Sequence, residues 1–169
     1  MEFSDVIRKR YSVRKFEQRP VEQSALDAVL QAGLLAPTAK NLQPQRILVI
    51  RRQEDLEKLD RCTRCRFGAP CALLVCYDRD ACWKRERYDG KPSGETDAAI
   101  VTTHMMLAAE ALGIGTTWVM HFDPEAVRRE FSVPEPCEPC ALLDRGYPAT
   151  DAQTSAMHFQ TLPAERLGF

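Results

Sequence analysis

The sequence predicts an α+β fold, and three observations carry that expectation. Helical and extended patterns alternate irregularly along the chain, and the apolar strands are few and short. No Gly-x-Gly-x-x-Gly follows a strand to open a helix, as a dinucleotide-binding doubly wound sheet would require.

The elements follow in order. Phe3, Val6 and Ile7 fall at helical spacing, so residues 2–10 read as a short helix. Residues 11–16 are β-branched and aromatic and read as extended. After Pro20, the spacing of Leu26, Val29, Leu30 and Leu34 predicts a helix. It stops at Ala36-Pro37, because the residue before a proline disfavours the helical region. Residues 37–45 are polar and read as a loop. Ile47 to Ile50 and Ala72 to Tyr77 read as strands, with a charged helix over 53–61 between them. Residues 79–95 carry charges and turn formers and read as a surface excursion. Residues 96–112 give the clearest helix, apolar on most of its circumference and so buried in a core or a subunit interface. Gly113 is its natural stop. Thr116 to Phe122 read as a strand, and Asp123-Pro124 as an N-cap and first residue of a helix to about Phe131. Ala141 to Leu143 read as a last core strand, followed by a weakly patterned tail.

At 169 residues the chain suits a single domain, 1–169. A net charge of −1 gives no reason to expect nucleic acid or an anionic membrane surface as partner. No apolar run approaches the ~20 residues that span a bilayer. Met1-Glu2-Phe3-Ser4-Asp5 is not the basic-then-apolar start of a signal peptide, so a cytoplasmic location is expected. Seven cysteines are then read as thiols.

Arg8-Lys9-Arg10-Tyr11-Ser12-Val13-Arg14-Lys15 holds five cations in eight residues. In an extended segment Arg10, Ser12 and Arg14 share a face. Two guanidinium forks and a hydroxyl suit a phosphate dianion. The plainer alternative is a solvated basic face at a helix end.

Arg10-Tyr11-Ser12-Val13-Arg14 resembles the N-terminal signature of the FMN-dependent nitroreductase family, in its compact clade of about this length. Ala36-Pro37-Thr38-Ala39-Lys40-Asn41-Leu42-Gln43-Pro44 resembles that family's flavin-binding loop. Asp97-Ala98-Ala99-Ile100 with Gly113-Ile114-Gly115 resembles its central interface helix. Thr117-Trp118-Val119-Met120-His121-Phe122 falls where the family runs a strand beside the isoalloxazine ring, and Arg145-Gly146-Tyr147-Pro148 resembles its closing Gly-Tyr-Pro.

The resemblance implies a central, mostly antiparallel sheet flanked by helices, in an intertwined homodimer whose C-terminal extension, 149–169, crosses to the partner. It implies tightly bound FMN held by Arg10, Tyr11, Ser12 and Arg14, by Pro37, Thr38, Ala39, Asn41 and Gln43, and by Trp118, Val119, Met120 and His121. NADH or NADPH would donate electrons in a two-step exchange to a small-molecule acceptor such as a nitroaromatic, a quinone or a flavin. No side chain is then needed as nucleophile, although His121 is a candidate pocket group and 79–95 a candidate lid. Two departures stand out. Gln45 replaces a frequent tryptophan. Gln160 and Thr161 stand where many members add a cation, with Arg166 further on. Dehalogenation, flavin breakdown, substrate dehydrogenation and a flavin-binding protein without turnover are the rival readings.

Cys62-x-x-Cys65 and Cys137-x-x-Cys140 invite a zinc site, but their separation is far from the 15–20 residues typical of zinc ribbons. Buried apolar cysteines are the simpler reading, and no metal is expected. His104 and His158 read as isolated structural residues.

Overall fold

The computed structural model describes residues 2–168. Nine regular elements follow one another: α1 (Phe3–Lys9), α2 (Gln23–Leu34), β1 (Gln45–Ile50), α3 (Gln53–Cys62), β2 (Cys71–Asp78), α4 (Gly94–Ala111), β3 (Gly115–Val119), α5 (Pro124–Phe131) and β4 (Cys137–Gly146). The four strands form one antiparallel sheet in the order β1-β2-β4-β3.

Helices cover both faces of this sheet. Leu73, Val75 and Leu143 point to a core shared with α2 and α4, through Val29, Val101 and Met105. Ala72, Leu74 and Leu142 point the other way, to α3 and α5 through Leu59 and Val127. A strand covered on both sides has no polar face to alternate. That is why Cys71–Tyr77 reads as one apolar run although its neighbours are antiparallel.

Several predicted ends shift. The strand expected over 116–122 stops at Val119, because Met120 to Phe122 turn away: the Phe122 N–H donates to the Met120 carbonyl at 3.1 Å, and Thr63 Oγ1 donates to the His121 carbonyl. The last strand is much longer than 141–143, spanning Cys137–Gly146. Pro139 hid its first half, since a proline inside a run demotes it. Here Pro139 pairs with Cys76 beside a register shift in the β2–β4 ladder, where a missing N–H costs little. The remaining ends move by two residues or fewer. Asp123 caps α5 as its sequence suggests, accepting from the Glu125 and Ala126 N–H groups. Gly113 ends α4 at φ +74°, with Ile114 N–H closing on the Ala109 carbonyl. No helix of the described residues is long and apolar enough to cross a membrane.

Candidate active site

The basic segment 10–16 is not a strand of its own; it leans on the outer edge of β3. Val13 N–H donates to the Thr116 carbonyl at 2.9 Å, Thr117 Oγ1 donates to the Val13 carbonyl, and Ser12 pairs in parallel with Thr116. Val13 is fully buried, in a small core with Phe16 and Ala69 that Tyr11 packs against. The alternation of an extended chain then turns Arg10, Ser12 and Arg14 outward. Among the described residues neither Arg10 nor Arg14 is taken up by a carboxylate within ion-pair distance; Arg14 reaches only the Ser12 carbonyl, at 3.3 Å. Gly115 lets the segment come this close, since a Cβ there would sit 2.6 Å from Val13 Cγ2.

The loop before β1 is built differently. Lys40, Asn41 and Gln43 all have φ between 51° and 55°, a left-handed conformation that side chains other than glycine adopt at a cost. Side chains and one carboxylate hold it there. Gln43 N–H donates to Thr38 Oγ1 at 3.1 Å and Gln43 Nε2 to Asn41 Oδ1 at 3.2 Å. Asp97, buried in the first turn of α4, accepts from the Ala39 N–H at 2.9 Å and from Ser93 Oγ at 2.6 Å. Asp97 thus pins the loop to the helix.

Beyond the end of β3 lies a cavity of about 590 Å³. Trp118, Met120 and Phe122 form one wall, Ala98 and Thr102 of α4 another, and Cys140 of β4 a third. Trp118 Nε1 donates to Met120 Sδ at 3.3 Å, which fixes the two side chains against each other. Burial pushes the Cys140 thiol up to about 12, so it lines the wall as a neutral group. The lining is mostly apolar and suits a planar ring.

The expected site residues therefore fall into three places. Arg10, Tyr11, Ser12 and Arg14 lie along the start of β3. Trp118 and Met120 wall the cavity at its end, while the Val119 side chain is buried on the α3–α5 face, leaving only its backbone on this side. Pro37, Thr38, Ala39, Asn41 and Gln43 lie at the first turn of α4. His121 joins none of these; it borders a separate hollow with Arg61, Thr63 and Asp123. Among the described residues no three His, Cys, Asp or Glu side chains gather as metal ligands.

Residues 7–67 and 62–147 match the model of the Nitroreductase family. The crystal structure of a nitroreductase family protein from Clostridium difficile 630 superposes with a TM-score of 0.93 at 39% identity, covering 100% of this chain and 98% of that one. A NADH dehydrogenase of Thermus thermophilus is 29% identical, over 94% of this chain and 91% of its own length. An NADPH-dependent oxidoreductase of Staphylococcus aureus strain USA300 is 27% identical, over 90% of this chain and 67% of its own.

Proposed function

Since the chain belongs to the nitroreductase family of oxidoreductases, we propose that it binds FMN and uses NADH or NADPH to reduce a nitroaromatic, quinone or flavin-type acceptor. The observation that carries this reading is a cationic, hydroxyl-bearing segment at one end of β3 and an apolar cavity at the other. Ser12 pairs with Thr116, and Met120 lies four residues further on, about 13 Å along an extended chain. A sugar phosphate joined to a planar ring fits that spacing.

Arg10, Ser12 and Arg14 would hold the phosphate by charge-assisted bonds. Trp118 and Met120 would flank the ring and keep water from it, and the backbone N–H groups of Met120 and His121 would face its reacting edge. Bound FMN supplies the two-electron chemistry, and the chain supplies position and electrostatics.

The polar loop would hold a ring edge through Thr38, Asn41 and Gln43, and in the homodimer that the family resemblance implies it is the loop of a second copy that does so. Asp97 ties it to the first turn of α4, whereas Arg10 lies in the electrostatic neighbourhood of Glu110. Those two acidic residues are thirteen positions apart, about 20 Å along a helix, so the loop and the basic segment of one chain stand at opposite ends of α4. A second copy of the chain would bring its loop to the site. The exposed apolar side chains of Phe3 and Ile7 on α1 and of Leu112 beyond α4 offer surface for that copy, as do Met157, Phe159, Leu162 and Leu167 in the tail. The segment 79–95 enters α4 through Ser93, whose N–H donates to the Trp83 carbonyl, and would cover the cavity as a lid.

The test is the visible spectrum of the freshly purified protein, with heat release and identification of any chromophore. The reading expects a yellow protein that yields about one FMN per chain and oxidises NADH or NADPH when an acceptor is added. A colourless protein that takes up no added FMN would overturn it.

A further inference from the structure

A second cavity, of about 550 Å³, opens at the end of the sheet where β1 finishes and β2 begins. None of the residues of the basic segment 10–14 lines it. Its wall carries four arginines, Arg51, Arg52, Arg66 and Arg145, and no acidic side chain.

The four arginines differ in what they hold. Arg66 is taken up by Asp60 and the Ala69 carbonyl, and Arg52 by Asp55 and Glu54. Arg51 donates only to the neutral Gln23 amide oxygen, at 2.7 Å. Arg145 is the unusual one. It is 0% exposed, its Nε donates to Cys71 Sγ at 3.3 Å, and both Nη1 and Nη2 are buried with no partner. A fully buried guanidinium with two idle nitrogens is costly unless an anion meets it. The planar fork matches two oxygens of one oxyanion.

The surroundings favour a dianion. Pro20 and Val21 of the wall lead into α2, and Arg52 and Gln53 open α3. Neither helix has a side-chain cap on its first turn. Two helix N-termini nearby add partial positive charge to the two cations that no carboxylate takes up.

We propose that this cavity is an anion site that takes a phosphate group, with the Arg145 fork as its base and Arg51 at its mouth. The shared chemistry is the phosphate oxyanion. Its source is either free inorganic phosphate or the phosphoryl group of a small metabolite, which the cavity has room to hold.

The proposal stands apart from the flavin reading and is tested separately from it. Isothermal titration of the purified protein saturated with FMN, in chloride buffer, would use inorganic phosphate in one arm and adenosine monophosphate in the other. The expected result is saturable binding in at least one arm. The Arg51→Ala variant should weaken it about tenfold and Arg145→Met should abolish it, with FMN content unchanged in both. Tighter binding of the nucleotide would identify a phosphorylated metabolite, and binding of phosphate alone the free ion. Arg14→Ala should leave this binding unaltered, which separates the site from the basic segment beside β3. Should Arg145→Met not fold, Arg51→Ala decides. No binding in either arm, or binding that Arg51→Ala leaves intact, would overturn the proposal. A protein that takes up no FMN would sink the flavin reading while the two phosphate arms still run on the apoprotein.

Discussion

At the scale of single residues, the least expected feature is a pair of adjacent buried ionisable groups. Arg145 points to the α2–α4 side of the sheet. Asp144 shares a face with Leu142 on the other, and neither of its oxygens has a partner. Burial pushes the Asp144 carboxyl from 3.8 up to about 8, against the pull of Arg66. Below about pH 4 the group is neutral in folded and unfolded chains alike. Between there and about pH 8 the unfolded chain gives up the proton while the folded chain keeps it. The stability tied to the neutral carboxyl is therefore lost progressively as pH rises through that window. Asp144→Asn should match the parent near pH 4 and exceed it by up to about 5 kcal/mol near pH 8, read by chemical denaturation across pH. Parallel pH profiles for the two proteins would show that another group titrates. Gly115 makes the opposite kind of prediction. In Gly115→Ala the new methyl would press on Val13 and Pro148, costing about 1–3 kcal/mol. Because Val13 seats the basic segment on β3, FMN affinity should fall with stability, whereas a variant destabilised elsewhere would lose stability alone. Neither Asp144 nor Arg145 stood out in the sequence, because a Leu-Leu-Asp-Arg-Gly run looks like a strand ending at a polar turn.

At the scale of elements, what was legible in the sequence followed periodicity, and what was hidden lay where tertiary contacts override it. The central helix was plain because seven apolar positions ring it, and α5 because Asp123 and Pro124 mark its start. The first half of β4 was hidden by Pro139, tolerated only beside the irregular pairing at Val75 and Cys76. The end of β3 was overextended because Met120 and Phe122 look like strand residues, although a hydrogen bond from Thr63 to the His121 carbonyl holds a turn there. His121 was accordingly expected beside the ring, and the same turn sends it toward α3. The loop at 37–43 was legible as a loop, but its link to α4 was not, since sequence spacing does not say which carboxylate a backbone N–H will meet across 58 positions. That link is testable. Asp97→Ala removes the acceptor for Ala39 N–H and Ser93 Oγ and frees a loop with three left-handed residues to relax. It should cost about 1–3 kcal/mol and weaken FMN binding about tenfold, while Asp97→Asn, which can still accept one bond, should fall between. Equal FMN affinity in all three proteins would remove the loop from the site.

At the scale of the whole molecule, the placement of the candidate groups makes a prediction that no single-chain property can imitate. If one FMN is held by the basic segment of one chain and the loop of another, each dimer has two sites, and each site draws on both chains. An Arg10→Ala/Arg14→Ala variant then spoils both sites of its own dimer, and so does Asp97→Ala in combination with Asn41→Ala. A mixed dimer behaves differently. One of its sites receives the damaged segment and the damaged loop together, and the other receives neither. Co-expressing the two variants under separate affinity tags and purifying the doubly tagged species should recover one FMN per dimer, with about half the parent turnover. A site assembled within one chain gives the opposite result, since every site in the mixed dimer then carries one defect and flavin content stays as low as in either variant. The same measurement bears on the exposed apolar side chains of α1 and the tail. Recovery requires that two chains exchange these surfaces, so a doubly tagged species that cannot be isolated at all would leave Phe3, Ile7 and the tail residues facing solvent and remove the second copy from the proposed site.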